Sequence, residues 1–216
     1  MDGLPADAAI LDCACGIGVH ALALARHGFS VQGTDASPGM VRQAAGRAEH
    51  ESVGIRYQPV SWEDLPSSFG RQFDVAFCCG NSIGHCRDNA ELVSSLKGIR
   101  GVLRDKGLLV LDSRNWDKLR HDKPRFNTMQ LRVRDGIRCV PLYVWNFPST
   151  CHEQHMIEVV FILETEGRIS HRSYQITYFP FSHEQVVRGL RQAGFADVDS
   201  DYDPTKDMYT LRARRG

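Results

Sequence analysis

The sequence predicts an α/β fold: a doubly wound, mostly parallel sheet carrying an inserted antiparallel β segment. Three observations support this. Over the first hundred residues, short apolar runs alternate with stretches of helical spacing. A glycine-rich turn at Gly16 and Gly18 follows the first apolar run. From about residue 128 to 178 the alternation gives way to successive runs rich in Val, Ile, Tyr and Phe, separated by Asp135-Gly136 and Glu166-Gly167.

The elements follow in order. Residues 9–13 form a first strand, and 19–26 have helical spacing that stops at Gly28. Residues 30–34 are a second strand, 38–49 a helix capped by Ser37, and 55–60 a third strand. Residues 73–78 are nearly all apolar, as expected of a strand buried on both faces. A helix over 89–104 ends at the turn Asp105-Lys106-Gly107, and 108–112 form a fifth strand. Beyond the antiparallel runs, 182–193 read as a helix with Ser182 as N-cap and Gly194 past its end. A final strand covers 208–214.

At 216 residues the chain suffices for one well-buried domain. Basic and acidic residues each number 26, so there is no electrostatic footprint for nucleic acid or an anionic membrane, and a small-molecule partner is expected. Apolar runs such as 107–111 are too short to span a bilayer. The stretch Met1 to Ala8 lacks a basic start and a long apolar region, so the expectation is a cytoplasmic protein without a secretion signal. The seven cysteines (13, 15, 78, 79, 86, 139 and 151) show no C-x-x-C pair and read as reduced, small core hydrophobes. His152 and His155 have a metal-like spacing, but on a strand they point to opposite faces, and no metal is expected.

The chemistry concentrates in Ile10-Leu11-Asp12-Cys13-Ala14-Cys15-Gly16-Ile17-Gly18, a strand running into a turn whose glycines admit a close ligand. Asp35 closes the second strand, where a carboxylate can accept both ribose hydroxyls of an adenosine. Gly16-x-Gly18-x-x-Ala21 also passes the relaxed dinucleotide fingerprint. Asp12 discriminates, because it would repel a pyrophosphate but attract a cationic sulfonium or ammonium. The alternative for Asp12 is a turn-stabilising residue.

Leu11-Asp12-x-Ala14-Cys15-Gly16-x-Gly18 resembles motif I of class I methyltransferases, and Asp35-Ala36-Ser37-x-x-Met40 resembles the motif that follows it. Ser61-Trp62-Glu63-Asp64-Leu65 is similar to the segment contacting adenine. Cys79-Gly80-Asn81-Ser82-Ile83-Gly84-His85 and Leu111-Asp112-Ser113-Arg114-Asn115-Trp116-Asp117 resemble segments of the glycine/sarcosine N-methyltransferase branch. The resemblance implies a Rossmann-like fold, with S-adenosyl-L-methionine as cofactor and S-adenosyl-L-homocysteine as product. It implies cofactor contacts from Asp12, Ala14, Cys15, Gly16, Gly18, Asp35, Ala36, Met40, Trp62, Glu63, Asp64, Cys79 and Ser82. Asn81 would meet the acceptor amine, Ser82 and His85 the cofactor's methionine end, and Arg114 an acceptor carboxylate, with Tyr178 beside the acceptor. Asn81, Arg114 and His85 form the implied catalytic set. A planar guanidinium fork suits a carboxylate on its own account, the alternative for Arg114 being an ion pair with Asp112 or Asp117.

The implied organisation is a single methyltransferase domain over 1–216. Residues 1–115 form its cofactor half, 128–178 a lid or substrate platform, and 182–216 the elements completing the sheet. About nine residues precede the first strand, where the family has a helical segment covering the cofactor. That role falls to the 128–178 segment, to another subunit of a homo-oligomer, or to chain missing from this sequence. Phe161 and Phe179 stand where the family uses acceptor-side tyrosines, which favours a less polar or bulkier amine than glycine. The leading expectation is N-methylation of an amino acid or amine. O-methylation of a small metabolite, a nicotinamide-dependent oxidoreductase and a non-catalytic binding module are the alternatives.

Overall fold

The computed structural model describes residue 5, residues 7–148 and residues 154–216. Most of Met1 to Ala8, and Cys151 and His152, lie outside the described residues, and so do the expectations that rest on them.

Five parallel strands build the main sheet: β1 (Ala9–Asp12), β2 (Ser30–Asp35), β3 (Arg56–Pro59), β4 (Phe73–Cys78) and β5 (Leu103–Arg114). Two further strands, β11 (Phe195–Ser200) and β12 (Met208–Arg215), extend it antiparallel to β5. The order is β11-β12-β5-β4-β1-β2-β3. The strand order therefore reverses beside β1, which in open α/β sheets marks the ligand crevice.

Helices α1 (Val19–Arg26), α2 (Pro38–His50) and α4 (Asn89–Val102) cross between these strands as the sequence predicts. The Ser37 hydroxyl accepts from the Met40 N–H (3.4 Å), and Asp88 accepts from the Glu91 N–H (2.8 Å), so α2 and α4 each start on a side-chain cap. Helix α6 (His183–Gln192) begins in a full capping box between Ser182 and Gln185. Short helices α3 (Leu65–Phe69) and α5 (Trp116–Asp122), and β11, are additions to the predicted set. One correction concerns Asp105-Lys106-Gly107, which does not separate helix from strand. It lies within the β5 range, where the pairing jumps from Phe73↔Leu103 to Val75↔Leu108 and the extra residues are absorbed as a bulge.

The second sheet is antiparallel: β6 (Phe126–Thr128), β7 (Arg132–Arg134), β8 (Ile137–Asn146), β9 (His155–Thr165) and β10 (Arg168–Tyr178). Both predicted turns are present, with positive φ at Asp135, Gly136, Glu166 and Gly167, the backbone that twists a tight hairpin correctly. A main core of Leu11, Phe73, Ile99, Leu109 and Phe181 lies between the large sheet and its helices. A smaller cluster of Trp116, Trp145, Ile157 and Tyr178 joins α5 to the second sheet. Among the described residues no helix is long and apolar enough to cross a membrane.

Gly98, inside α4, shows how tightly the loop after β3 is packed. A Cβ there would stand 2.0 Å from the Trp62 carbonyl oxygen. Gly98→Ala should cost about 3 kcal/mol, the upper end of overpacking penalties, because backbone must move. Urea denaturation measures this. A variant as stable as the parent would show that the 61–64 loop is not held against α4.

Candidate active site

The carboxyl end of β1 delivers Asp12 to the crevice, fully buried. Neither carboxylate oxygen has a hydrogen-bond partner among the described residues. Burial pushes its pKa up to about 6, against partial relief from the nearby His20 and the amides of Ala14 and Ala21. Such a carboxylate needs a cation.

The turn beyond β1 is built on two glycines with different duties. Gly16 has φ +51 and nothing within 4 Å of where a Cβ would be, so that side is open to a ligand. At Gly18, φ +82, a Cβ would stand 2.7 Å from the Tyr57 hydroxyl, and at Gly33 a Cβ would stand 2.4 Å from the Tyr57 ring. Tyr57 therefore props the turn from beneath, a role that nothing in the sequence pattern signals. Asp35 at the end of β2 accepts the N–H of Gly16 and of Ser37, both at 2.9 Å. A carboxylate has about four acceptor sites, so lone pairs remain for hydroxyls. Ala14 is half-buried and Cys15 buried in the same turn, while Ala36 and Met40 are exposed at the start of α2.

The loop after β3 closes another side. The Trp62 indole N–H donates to the Cys13 carbonyl at 2.6 Å, which draws the loop onto the end of β1. Asp64 accepts from the Ser61 hydroxyl (2.6 Å), and Glu63 turns to the Ser94 hydroxyl on α4 (2.6 Å).

The ends of β4 and β5 are held by a carboxylate clip. Asp112 on β5 accepts the N–H of Gly80 (3.0 Å) and of Asn81 (2.6 Å) from the loop after β4. Asn81 is thereby fixed in the left-handed region, φ 59, and its side-chain oxygen accepts the Arg114 N–H at 2.9 Å. The Asn81 Nδ2 is buried without a partner among the described residues. Ser82 donates to the Cys79 carbonyl (2.7 Å), so both residues face the turn between β4 and the short 3₁₀ turn Ser82–His85. The His85 ring packs on Tyr178 at 4.6 Å, and burial lowers its pKa. Tyr178, at the end of β10, has its phenol pKa raised by burial.

Arg114 is half-buried, and the alternative of an ion pair with Asp112 or Asp117 is not realised. Asp112 is committed to the clip, and Asp117 pairs with Arg120 at 2.7 Å. The guanidinium instead lies 5.4 Å from the ring centroids of both Tyr143 and Trp145, and its Nε is buried without a partner among the described residues. Neither aromatic residue is singled out by the sequence, since only the fold brings β8 against the end of β5.

Phe179 requires a correction. Its ring packs on Phe181 at 4.6 Å within the main core, because the chain leaves the second sheet after Tyr178. Phe161 sits on the second sheet against Tyr174, 5.7 Å between centroids. His155 is buried edge-on to Trp116 (5.7 Å) and Phe147 (5.3 Å), and burial with the nearby Arg120 pushes its pKa down to about 4. Among the described residues no group of three or more His, Cys, Asp or Glu is placed to hold a metal ion, and the six described cysteines are free.

Two carboxylates, Asp12 and Asp35, thus flank the glycine turn closely enough for Asp12 to feel the charge of Asp35. A pyrophosphate there would be repelled from both sides, whereas a cationic ligand that also carries a ribose is matched twice. The family model described as a methyltransferase domain matches residues 10–107. The glycine/sarcosine N-methyltransferase of Parasynechococcus marenigrum (strain WH8102) is 33% identical over 201 residues, 92% of this chain and 67% of that protein. The chain belongs to the S-adenosylmethionine-dependent methyltransferases. Human glycine N-methyltransferase is 37% identical over 123 residues, 51% of this chain and 42% of that protein. The solved structure of CalS10, an amino pentose methyltransferase from Micromonospora echinaspora with S-adenosylmethionine bound, shares the fold. Its TM-score is 0.77 at 18% identity, covering 97% of this chain and 84% of that one. The residues of this methyltransferase fit the cofactor: an orphaned buried carboxylate, an open glycine and a carboxylate with lone pairs to spare meet at one strand end.

The Asp12 pKa predicts a pH dependence. Because its folded value lies near 6 and its ordinary value is 3.8, folding favours the protonated form. The unliganded protein keeps that stability below about pH 4 and loses roughly 3 kcal/mol of it as pH rises through 6. Asp12→Asn should therefore gain on the wild type across this window in urea denaturation while losing affinity for S-adenosylmethionine. A constant gap between the two proteins from about pH 4 to 7.5 would show that Asp12 is not buried as a lone acid. Asp35→Ala should weaken cofactor binding by about one to two orders of magnitude in calorimetry, the loss of a charge-assisted pair. An unchanged dissociation constant would reduce Asp35 to a turn residue.

Proposed function

We propose that this methyltransferase methylates the amine of a small amino acid, with the acceptor carboxylate read by Arg114. The carrying observation is Arg114 itself: a half-buried cation at the end of β5, without a carboxylate among the described residues, next to Asn81. The names of the relatives, glycine and glycine/sarcosine N-methyltransferases, support an amino-acid acceptor.

When bound, S-adenosylmethionine supplies a methyl group already activated by its cationic sulfur, so no protein nucleophile is needed. The chain's work is binding and alignment. In this reading Asp12 answers the cofactor's positive charge and Asp35 its ribose hydroxyls. Trp62 and Asp64 border the adenine side, and the turn of Ala14, Cys15, Gly16 and Gly18 forms the wall between. Cys79 and Ser82 border the methionine end. His85, held toward its neutral form by burial, adds no competing positive charge there. Arg114 fixes the acceptor by two parallel hydrogen bonds, and its charge favours the neutral, attacking form of the amine. The spare Nδ2 donor of Asn81 and the Tyr178 hydroxyl lie on the same side and complete the acceptor's polar contacts. The antiparallel sheet, reaching the site through Tyr178 and Trp145, serves as platform and excludes water.

Arg114→Lys keeps the charge but loses the planar fork. It should raise the acceptor KM and lower kcat together while cofactor affinity stays level. The informative comparison pairs an amino acid with its decarboxylated amine in wild type and variant. Equal turnover of both by the wild type would mean that no carboxylate is read and that the acceptor belongs to another class.

A further inference from the structure

Arg114 is held in an unusual way for a half-buried arginine. Tyr143 and Trp145 stand two residues apart on β8, so their side chains share one face of the sheet. Their rings lie 6.3 Å apart and tilted by 32°, and the Arg114 guanidinium rests 5.4 Å above each. Trp145 is buried, and its indole N–H donates to the Asn127 side chain on β6 at 2.7 Å, which fixes the plane of its ring. Asp112 and Asp117, the acidic residues beside Arg114 in sequence, are already engaged by Gly80, Asn81 and Arg120.

The two ways of holding an arginine differ in what they leave free. A carboxylate occupies the in-plane N–H edge and neutralises the charge. An aromatic face attracts the cation through its quadrupole from above or below the plane and leaves the N–H edge unoccupied. We propose that Tyr143 and Trp145 are positioning residues that form an aromatic floor under Arg114, holding it without a counter-charge so that its N–H edge stays available to an acceptor carboxylate. This rests on the reading of Arg114 as the carboxylate binder and adds to it the residues that set its geometry. The floor is supplied by the second sheet, so substrate reading by β5 depends on residues of β8, a distant part of the chain.

Tyr143 is the residue to test, since Trp145 belongs to a buried cluster. Tyr143→Leu removes the ring and keeps an apolar side chain, and Tyr143→Phe keeps the ring face. The protein is saturated with S-adenosylhomocysteine, and acetate serves as the carboxylate probe. In the wild type the buried Arg114 Nε–H should give a nitrogen–proton NMR signal displaced by the ring currents beneath it, and acetate should move that signal. Tyr143→Leu should lose much of the displacement and bind acetate about tenfold more weakly, at unchanged affinity for S-adenosylhomocysteine. Tyr143→Phe should retain both properties. If acetate moves no Arg114 signal in the wild type, the carboxylate reading falls and takes the purpose of the floor with it. If acetate binds and moves the signal but Tyr143→Leu binds it as tightly as wild type, the floor alone is overturned. The floor is equally overturned if Tyr143→Phe proves as impaired as Tyr143→Leu.

Discussion

The Asp112 carboxylate ties the loop after β4 to the end of β5. It accepts two adjacent backbone N–H groups, from Gly80 and Asn81, and so sets the path of the loop after β4 relative to β5. That path holds Asn81 in a left-handed conformation, with its oxygen turned to the Arg114 backbone and its nitrogen buried without a partner among the described residues. Charge-assisted hydrogen bonds of this kind are among the stronger ones available to a loop, about twice the neutral variety. One aspartate therefore keeps the loop after β4 and the end of β5 in fixed relation.

The site also concentrates unfavourable terms. Among the described residues Asp12 is buried without a partner, Arg114 and Asn81 each present a buried unpaired donor, and the Tyr57 hydroxyl is orphaned beneath the glycine turn. None of these groups would be selected for stability alone, since a buried polar group without a partner costs about 1–3 kcal/mol. The well-filled core between sheet and helices offsets that cost.

Much of this is legible in the sequence, for identifiable reasons. The strand ends carrying Asp12, Asn81 and Arg114 can be read because each follows a short apolar run, and a parallel sheet brings such ends to one edge, while Asp35 is read from its place beyond the glycine turn. Strand Phe73–Cys78 and helix Val19–Arg26 agree with the sequence residue for residue, since their apolar patterns are uninterrupted. The short helix Leu65–Phe69 carries Pro66 at its start and too few residues for a period to show. Strand β11 is half polar and bulged between Ala196 and Asp199, which erases its alternation. The packing of Tyr57 under the glycine turn and of Tyr143 and Trp145 against Arg114 is invisible in the sequence because it is created by pairing across distant parts of the chain. Phe179 misleads for the opposite reason: its position in the chain matches, but its ring turns into the core.

The place of β12 in the large sheet has a further consequence, for the order in which the molecule can be made. β12 is an interior strand between β5 and β11, and it pairs with β5 from Met208↔Arg114 to Arg214↔Leu108. During synthesis at the ribosome, β5 emerges well before this partner, and the whole second sheet lies between them. Until then β5 presents an open edge of apolar sequence, the kind of template that recruits foreign strands. Pairings of such wide separation are also slow to close. Strands β1 to β4 can pair on the emerging chain, but the edge carrying Arg114 is sealed only by residues translated much later.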